Sequence, residues 1–465
     1  MDQEAKSWLG LPLWSVQLSR WRFAGLFFAC AMQAATLMIT WPLWQPRVSP
    51  PHLPLIEPLS HWPFGVLLIG SLLVTLLTPR WGWFAHVGLL CLAIVGDQFR
   101  IQPQFIGLAI LIWSAASPVG WAFGRWYLIA LWFWAGVHKL ISPDWWADYP
   151  WSLMSQAGVA PQGKTLIFAV GVIAIELLLA VLAVLKPRWA VPFCLLVHLG
   201  ILVLFSPWLA NRNYSVLPWN LAMATFGACM LWTASPGWPV QRWERWLAVC
   251  LLGYPALYFT GWLDRGLGHV LYAGNVPRGL VARGGEVKEI EGWGELAVPF
   301  PSQNRLLRQY FALTAEPGDR LLIRTPFVQP KERFYLLGNT RQVEELQRSS
   351  EAFRNNFGFG NFPDDPEAVQ ELLAFKVKLL RRTPAEMVFA AEVAPENFEE
   401  RVLVLLRRLP NLEQLQLAGC PIEDRDLGYL LQLKSLRGIG LARTKLSPAA
   451  ISKIKSLPQM EVVEE

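Results

Sequence analysis

Charge is what this chain has least of. Only 16% of its 465 residues are Asp, Glu, Lys or Arg, against about a quarter in an ordinary soluble domain. A single soluble enzyme and a basic nucleic-acid binder are therefore both excluded. Cysteine is scarce as well. Of six, Cys30, Cys91, Cys194, Cys229 and Cys250 sit in apolar runs, and Cys420 stands by itself further on. No CxxC pair and no disulfide framework can be assembled from them, which excludes a cysteine metal knuckle and a secreted disulfide scaffold. A small-residue cleavage site is also missing after the first apolar stretch. That stretch runs from Arg20-Trp-Arg22 to Trp41-Pro42 and reads as a membrane helix rather than a signal peptide.

What is present is unevenly spread. Residues 1–263 hold 14 Lys+Arg, 8 Asp+Glu and 24 of the 25 tryptophans, whereas residues 264–465 hold 27 of each charge sign and one tryptophan, Trp293. The first part reads as a membrane body and the second as an appended water-soluble region. A bilayer core takes about 20 apolar residues per helix. Nine stretches qualify, the third and fourth of them short: Phe23–Thr40, Trp62–Thr78, Trp83–Gly96, Phe105–Ala115, Pro118–Val137, Thr165–Leu185, Ala190–Leu209, Leu217–Thr233 and Arg245–Leu263. Trp41, Trp44, Trp81, Trp145, Trp208 and Trp262 mark their ends, as an interfacial belt requires. Counted over nine spans, Lys6, Arg20, Arg22, Arg80, Arg125, Lys186, Arg188, Arg242 and Arg245 fall on one side. Arg47, Arg100, Lys139, Lys164 and Arg212 fall on the other, partly offset by Glu57, Asp97, Asp144 and Asp148. The positive-inside rule makes the first side cytoplasmic, with the N-terminus there and the soluble tail opposite. One span fewer would flip the tail.

The tail divides again. Residues 264–387 read as a mixed β/α module, with strands expected at Glu295–Pro301 and Asp319–Ile323 and a helix over Asp365–Arg382. Residues 388–465 repeat with a period of 24: Val388, Leu412, Leu436 and Met460 are in register, as are Ala391, Leu415, Ile439 and Val463, and then Leu403, Leu427 and Ile451. This is a leucine-rich-repeat pattern, one strand and one helix per turn of a solenoid. Three short units need the preceding module as a cap. The expected fold class is thus an α-helical polytopic membrane bundle of about nine spans, followed by a mixed α/β region ending in a short solenoid. The repeats carry no reactive triad and suit packing or protein binding.

Ionisable residues at membrane depth are costly and mark candidate sites. Lys139 ends the stretch Trp132-Phe-Trp-Ala-Gly-Val-His-Lys139, beside His138 and a small Ala135-Gly136 pair. It reads either as a snorkelling anchor or as an amine held dry and uncharged to act as a base. Asp97 and Arg100 are three residues apart between two short spans, and form either a solvated ion pair or the lining of a cavity. Glu176 lies mid-span and needs a partner, which Lys139 or Arg100 can supply. His198, with Tyr214 and Asn220 following, reads either as a packing histidine or as part of the same site.

The arrangement Ala135-Gly-Val-His-Lys-Leu140 with Asp144-Trp145, then His198, then a polar segment opening a further span, resembles the horizontally transferred transmembrane domain. That domain is the membrane core of vitamin K-dependent gamma-carboxylase and its bacterial relatives. The resemblance spans about residues 15–280. It implies a reduced naphthoquinone, oxygen and carbon dioxide as reactants and no metal. Lys139 would be the base, His138 and His198 would be catalytic neighbours, and Asp97, Arg100, Glu176, Tyr214 and Asn220 would bind the cofactor. The histidine at position 138 departs from the carboxylase's second lysine, and the repeat tail does not match its luminal region, so quinol oxidation is better supported than protein carboxylation. The competing expectation is a non-catalytic membrane anchor that presents the repeats to a protein partner. Transport is the weakest reading, since no duplicated half or paired broken helices are visible. Beyond the lipid bilayer and that protein, no nucleic-acid partner is expected.

Overall fold

The computed structural model describes residues 19–147, 149–159, 164–209, 213–283, 286–292, 294–326, 332–347, 364, 366–381, 388–409, 411–433, 435–456 and 460–463. Lys6, Asp148, Arg212, Trp293 and the 24-period position Leu457 lie outside them. The chain divides into two compact units, residues 1–279 with 290–314 and 323–332, and residues 280–289 with 315–322 and 333–465.

The first unit is helical. Its helices are α1 (Arg20–Ile39), α2 (Phe64–Leu77), α3 (Pro79–Gly96), α4 (Pro103–Ala116), α5 (Pro118–Ile141), the short α6 (Pro143–Ala147) and α7 (Tyr149–Gln156), α8 (Thr165–Leu185), α9 (Pro187–Leu204), α10 (Leu217–Thr233), α11 (Arg242–Gly253) and α12 (Asn304–Thr314). Proline opens α3, α4, α5 and α9, where its missing N–H has no partner to lose and its φ is already helical. Each of the nine apolar stretches contains a helix. Three of them, α1, α8 and α9, are long and apolar enough to cross a membrane, and α2 and α4 are shorter apolar helices. The stretch expected at Arg245–Leu263 is not one rod. Its α-helix ends at Gly253 and a 3-10 segment continues from Tyr254 to Thr260, because Pro255 cannot donate to the α-helical ladder. Within this unit α5 packs on α8, α9 on α10, α1 on α4 and α2 on α3.

The chain also forms two five-stranded sheets, the second of them within the second unit. The first has the order β2-β1-β3-β4-β5, from β1 (Arg278–Arg283), β2 (Glu286–Glu289), β3 (Arg320–Arg324), β4 (Glu332–Leu337) and β5 (Val343–Leu346). The strand expected at Asp319–Ile323 is β3. The one expected at Glu295–Pro301 is absent: a 3-10 turn occupies Gly294–Leu296, and Pro299 and Pro301 have no N–H to give a ladder. The helix expected over Asp365–Arg382 stops at Ala374, and the chain turns left-handed at Lys376 (φ 57°) before β6 (Lys378–Arg381). That short helix is α13 (Pro366–Ala374).

The second sheet has the order β10-β9-β8-β7-β6, where β7 is Val388–Glu392, β8 Gln414–Gln416, β9 Gly438–Gly440 and β10 Glu461–Val463. Strands β7 to β10 run parallel, and α14 (Glu400–Leu406), α15 (Leu427–Leu430) and α16 (Pro448–Lys455) fall between them. The register follows the period of 24 for two steps, Ala391 to Leu415 to Ile439. The third step is one residue short. Ile439 pairs with Val462 rather than Val463, so the fourth column read from the sequence is displaced. Leu403, Leu406, Leu412, Leu415, Leu436 and Ile439 share one core with Ala368 and Leu372 of α13, and antiparallel β6 closes the edge beside β7.

Candidate functional site

Two buried ionisable groups of the helical unit, Lys139 and Glu176, meet where α5 packs on α8. Gly136 allows this: a Cβ there would lie 2.8 Å from Leu177 and 3.4 Å from Cβ of Glu176. The small Ala135-Gly136 pair therefore serves close helix packing. One turn on, Lys139 is 3% exposed. Its Nζ donates to Glu176 Oε1 at 2.8 Å and Oε2 at 2.9 Å, to Leu271 O at 3.1 Å and to Ala135 O at 3.4 Å, and it sits 5.5 Å from the Trp145 ring centroid. An ammonium offers three donors, and a carboxylate with two carbonyls takes all of them. The lysine is buried, and its donors go to the Glu176 carboxylate and two carbonyls.

Beside this pair Trp132 Nε1 donates to His198 Nε2 at 2.9 Å, and His198 Nδ1 lies 2.9 Å from Asn220 Oδ1. An indole can only donate, so His198 Nε2 must accept and Nδ1 must carry the proton. Asn220 Nδ2 passes the series on to Val216 O at 2.9 Å. Glu176, His198, Asn220 and Trp132 line a cavity of about 20 Å3 between α5, α8, α9 and α10, which is room for about one water.

The other candidates lie elsewhere. His138 is fully buried, with Nε2 2.9 Å from Gly268 O and Nδ1 3.3 Å from Asn275 Nδ2, and its ring packs against Tyr258 and Phe259. Both nitrogens are engaged, so its place beside Lys139 in sequence is not a shared site. Asp97 and Arg100 are fully buried and line neither this cavity nor the one between α4, α5 and α11. Asp97 is bound mainly by Arg47, by His52 at 3.2 Å and by the Leu53 and Phe99 amides, with Arg100 Nε 4.0 Å away. Arg100 instead donates to Leu43 O and Ala93 O, both at 2.9 Å, between the Trp44 and Phe64 rings. The three-residue spacing suggested their pairing, but Arg47 and His52, which sequence reasoning passed over, hold the carboxylate. Tyr214 is half-buried in a 3-10 turn and lines neither cavity. Also passed over was His86, fully buried between Gln33 (3.2 Å) and Ser71 (2.8 Å). Nothing local in the sequence marks these partners, because Arg47 and His52 come from the loop between α1 and α2, and Gln33 and Ser71 from two other helices, each far along the chain from the group it meets.

The space beside Lys139 is small. A cavity that takes benzene is already about 150 Å3, far above the space here, and the amine's donors are occupied. The resemblance to the carboxylase membrane domain is overturned. The family model that matches this chain is that of methylamine utilisation protein MauE, over residues 109–217. Its local signature has structural explanations: the small pair seats α8, Lys139 pairs with Glu176, and Asp144 pairs with Arg278 at 3.1 Å. No curated protein and no solved structure matches the chain. The matched stretch runs from within α4 to the start of α10 and includes Lys139, Glu176 and His198, so the MauE likeness covers the polar heart of an integral membrane protein.

Proposed function

We propose that this chain is a non-catalytic integral membrane protein, crossing the bilayer at its nine apolar segments and presenting a short leucine-rich-repeat solenoid to a protein partner. The observation that carries this reading is the state of the buried ionisable groups. Lys139, Glu176, Asp97, His138 and His198 all have partners within the fold, and the cavity beside Glu176 and His198 holds about one water. Groups that satisfy each other in this way fix helix positions, which is what supports the anchor reading.

The repeat unit offers the opposite. Gln414 and Gln416 on β8 are exposed while Leu415 between them is buried, and Glu392 on β7 extends the same row. That polar face suits hydrogen bonding to another protein. With nine crossings, the distribution of Lys and Arg places the N-terminus in the cytoplasm and this face on the other side.

The test compares three forms of the full chain in native membranes: the wild type, a form lacking residues 388–465, and Lys139→Ala. We expect a cross-linked partner to be lost with the repeats, or with Gln414→Lys/Gln416→Lys, while membrane insertion persists. Oxygen consumption with a naphthohydroquinone that Lys139→Ala abolishes would overturn the reading.

A further inference from the structure

Positive charge is concentrated where one end of the helical unit gathers four helix termini. Lys186 follows the last residue of α8 and Arg188 lies in the first turn of α9. Arg242 and Arg245 lie at the start of α11. All four are exposed. Residues 183–190 and 233–246, taken with Arg125 of α5, hold five Lys or Arg and a single carboxylate, Glu244. Glu244 Oε1 accepts the Trp126 indole at 3.0 Å, and none of the four exposed cations has a carboxylate partner among the described residues.

The loop at 234–240 fastens these termini together. Gly237 N donates to Val184 O at 2.7 Å, at the end of α8. Arg125 donates to Ala183 O and to Ser235 O, both at 3.4 Å. From the other side Arg245 donates to Pro239 O and Val240 O, both at 2.8 Å, and Trp238 packs on Trp126 with centroids 5.1 Å apart. Arg188 stands 5.9 Å from the ring centroid of Trp232, on the last turn of α10. Charges far apart along the chain are thus held in one neighbourhood that the protein does not neutralise. Trp189, Trp232, Trp238 and Trp246 are exposed around them, as indoles are where a bilayer's headgroups begin.

We propose that this face binds the headgroup of an anionic phospholipid, the phosphate oxygens bonding to Lys186, Arg188, Arg242 and Arg245. Charge complementarity selects the occupant: basic clusters between helix ends bind phosphate-bearing lipid headgroups, and Lys and Arg donate charge-assisted hydrogen bonds to phosphate. A headgroup with two phosphates, as in cardiolipin, meets four cations better than one with a single phosphate. The exposed tryptophans offer an apolar border to the acyl chains. The proposal rests on the membrane-spanning reading above and is independent of the partner of the repeats.

The test is native mass spectrometry of the purified full chain in detergent, titrated with cardiolipin or with phosphatidylcholine, which has no net charge. We expect saturable binding of cardiolipin and a clear preference for it. Removing one surface cation should weaken cardiolipin binding about fivefold, so Arg188→Gln should lose about that much and Lys186→Gln/Arg188→Gln about thirtyfold. Arg80→Gln is the matched control. Arg80 is also exposed and stands 5.0 Å from the Trp81 ring centroid, but it opens α3; its loss should leave the affinity unchanged. Equal binding of the two lipids by the wild type, unchanged affinity in Lys186→Gln/Arg188→Gln, or an equal loss in Arg80→Gln and Arg188→Gln would each overturn the assignment. Membrane insertion is measured alongside. A wild type that does not insert sinks the membrane-spanning reading, whereas full insertion without a cardiolipin preference sinks the lipid site alone.

Discussion

The helical unit and the repeat unit hold their interiors together over different distances along the chain. In the helical unit the partners are remote. Lys139 meets Glu176 37 residues away and the carbonyl of Leu271 132 residues away, and His138 meets Gly268 at a separation of 130. In the repeat unit each strand leans on the next, Ala391 on Leu415 and Leu415 on Ile439, one period apart. Stability should therefore fail by network in the first and by neighbour in the second.

The largest effect should come from breaking the ion pair from one side. Glu176→Ala leaves a buried ammonium uncompensated, and we expect a loss of about 3–5 kcal/mol in denaturant unfolding of the detergent-solubilised chain. The double substitution Lys139→Met/Glu176→Leu should recover most of that loss, since well-packed apolar residues replace such pairs at little cost. If the double variant is as unstable as the single, the pair is not the organising contact. Next is Leu415→Ala in the repeat core, expected to cost about 2–5 kcal/mol. Hydrogen exchange should rise across residues 388–456 while α5 and α8 stay protected; a matching rise in α8 would erase the contrast between units. Gly136→Val forces a side chain against Leu177 and should cost about 1–3 kcal/mol through overpacking, read as a lower midpoint with Lys139→Met/Glu176→Leu left additive or not.

The smallest effect concerns Asp424. Its Oδ1 accepts the Ser447 amide at 2.7 Å, which holds this carboxyl below the usual aspartate range. A carboxyl lowered in the folded state stabilises it above the unfolded value, about 3.9, and that contribution disappears as pH falls through the folded value. Exchange of the Ser447 amide should therefore accelerate below about pH 4, and Asp424→Asn should remove the pH dependence.

The same contrast explains what was legible in the sequence. Apolar stretches mark helices wherever they run long enough, so α1, α8 and α9 stand where hydropathy put them. A period of 24 marks the strands because each column has the same neighbour, and it slips only at Val462, where the last pairing is one residue short. Chemistry was harder to read. Lys139 and Glu176 were visible as costly residues and as potential partners, but the role of Ala135-Gly136 was not, because a small pair packs against a helix that lies far along the chain. Asp97 shows the same limit: the nearest opposite charge in sequence is Arg100, yet folding brings Arg47 and His52 closer.

The series Trp132–His198–Asn220–Val216 has a consequence for what can cross this region. A proton wire needs every link to be able to take a proton on one side and release one on the other. The indole at its head has a hydrogen to give and no lone pair to receive one, and the backbone carbonyl at its foot can only receive. The series is therefore polarised in one sense and cannot be reset by relay. It behaves as an insulating strut, so ion leakage along it should be as low in the wild type as in a lipid-facing helix.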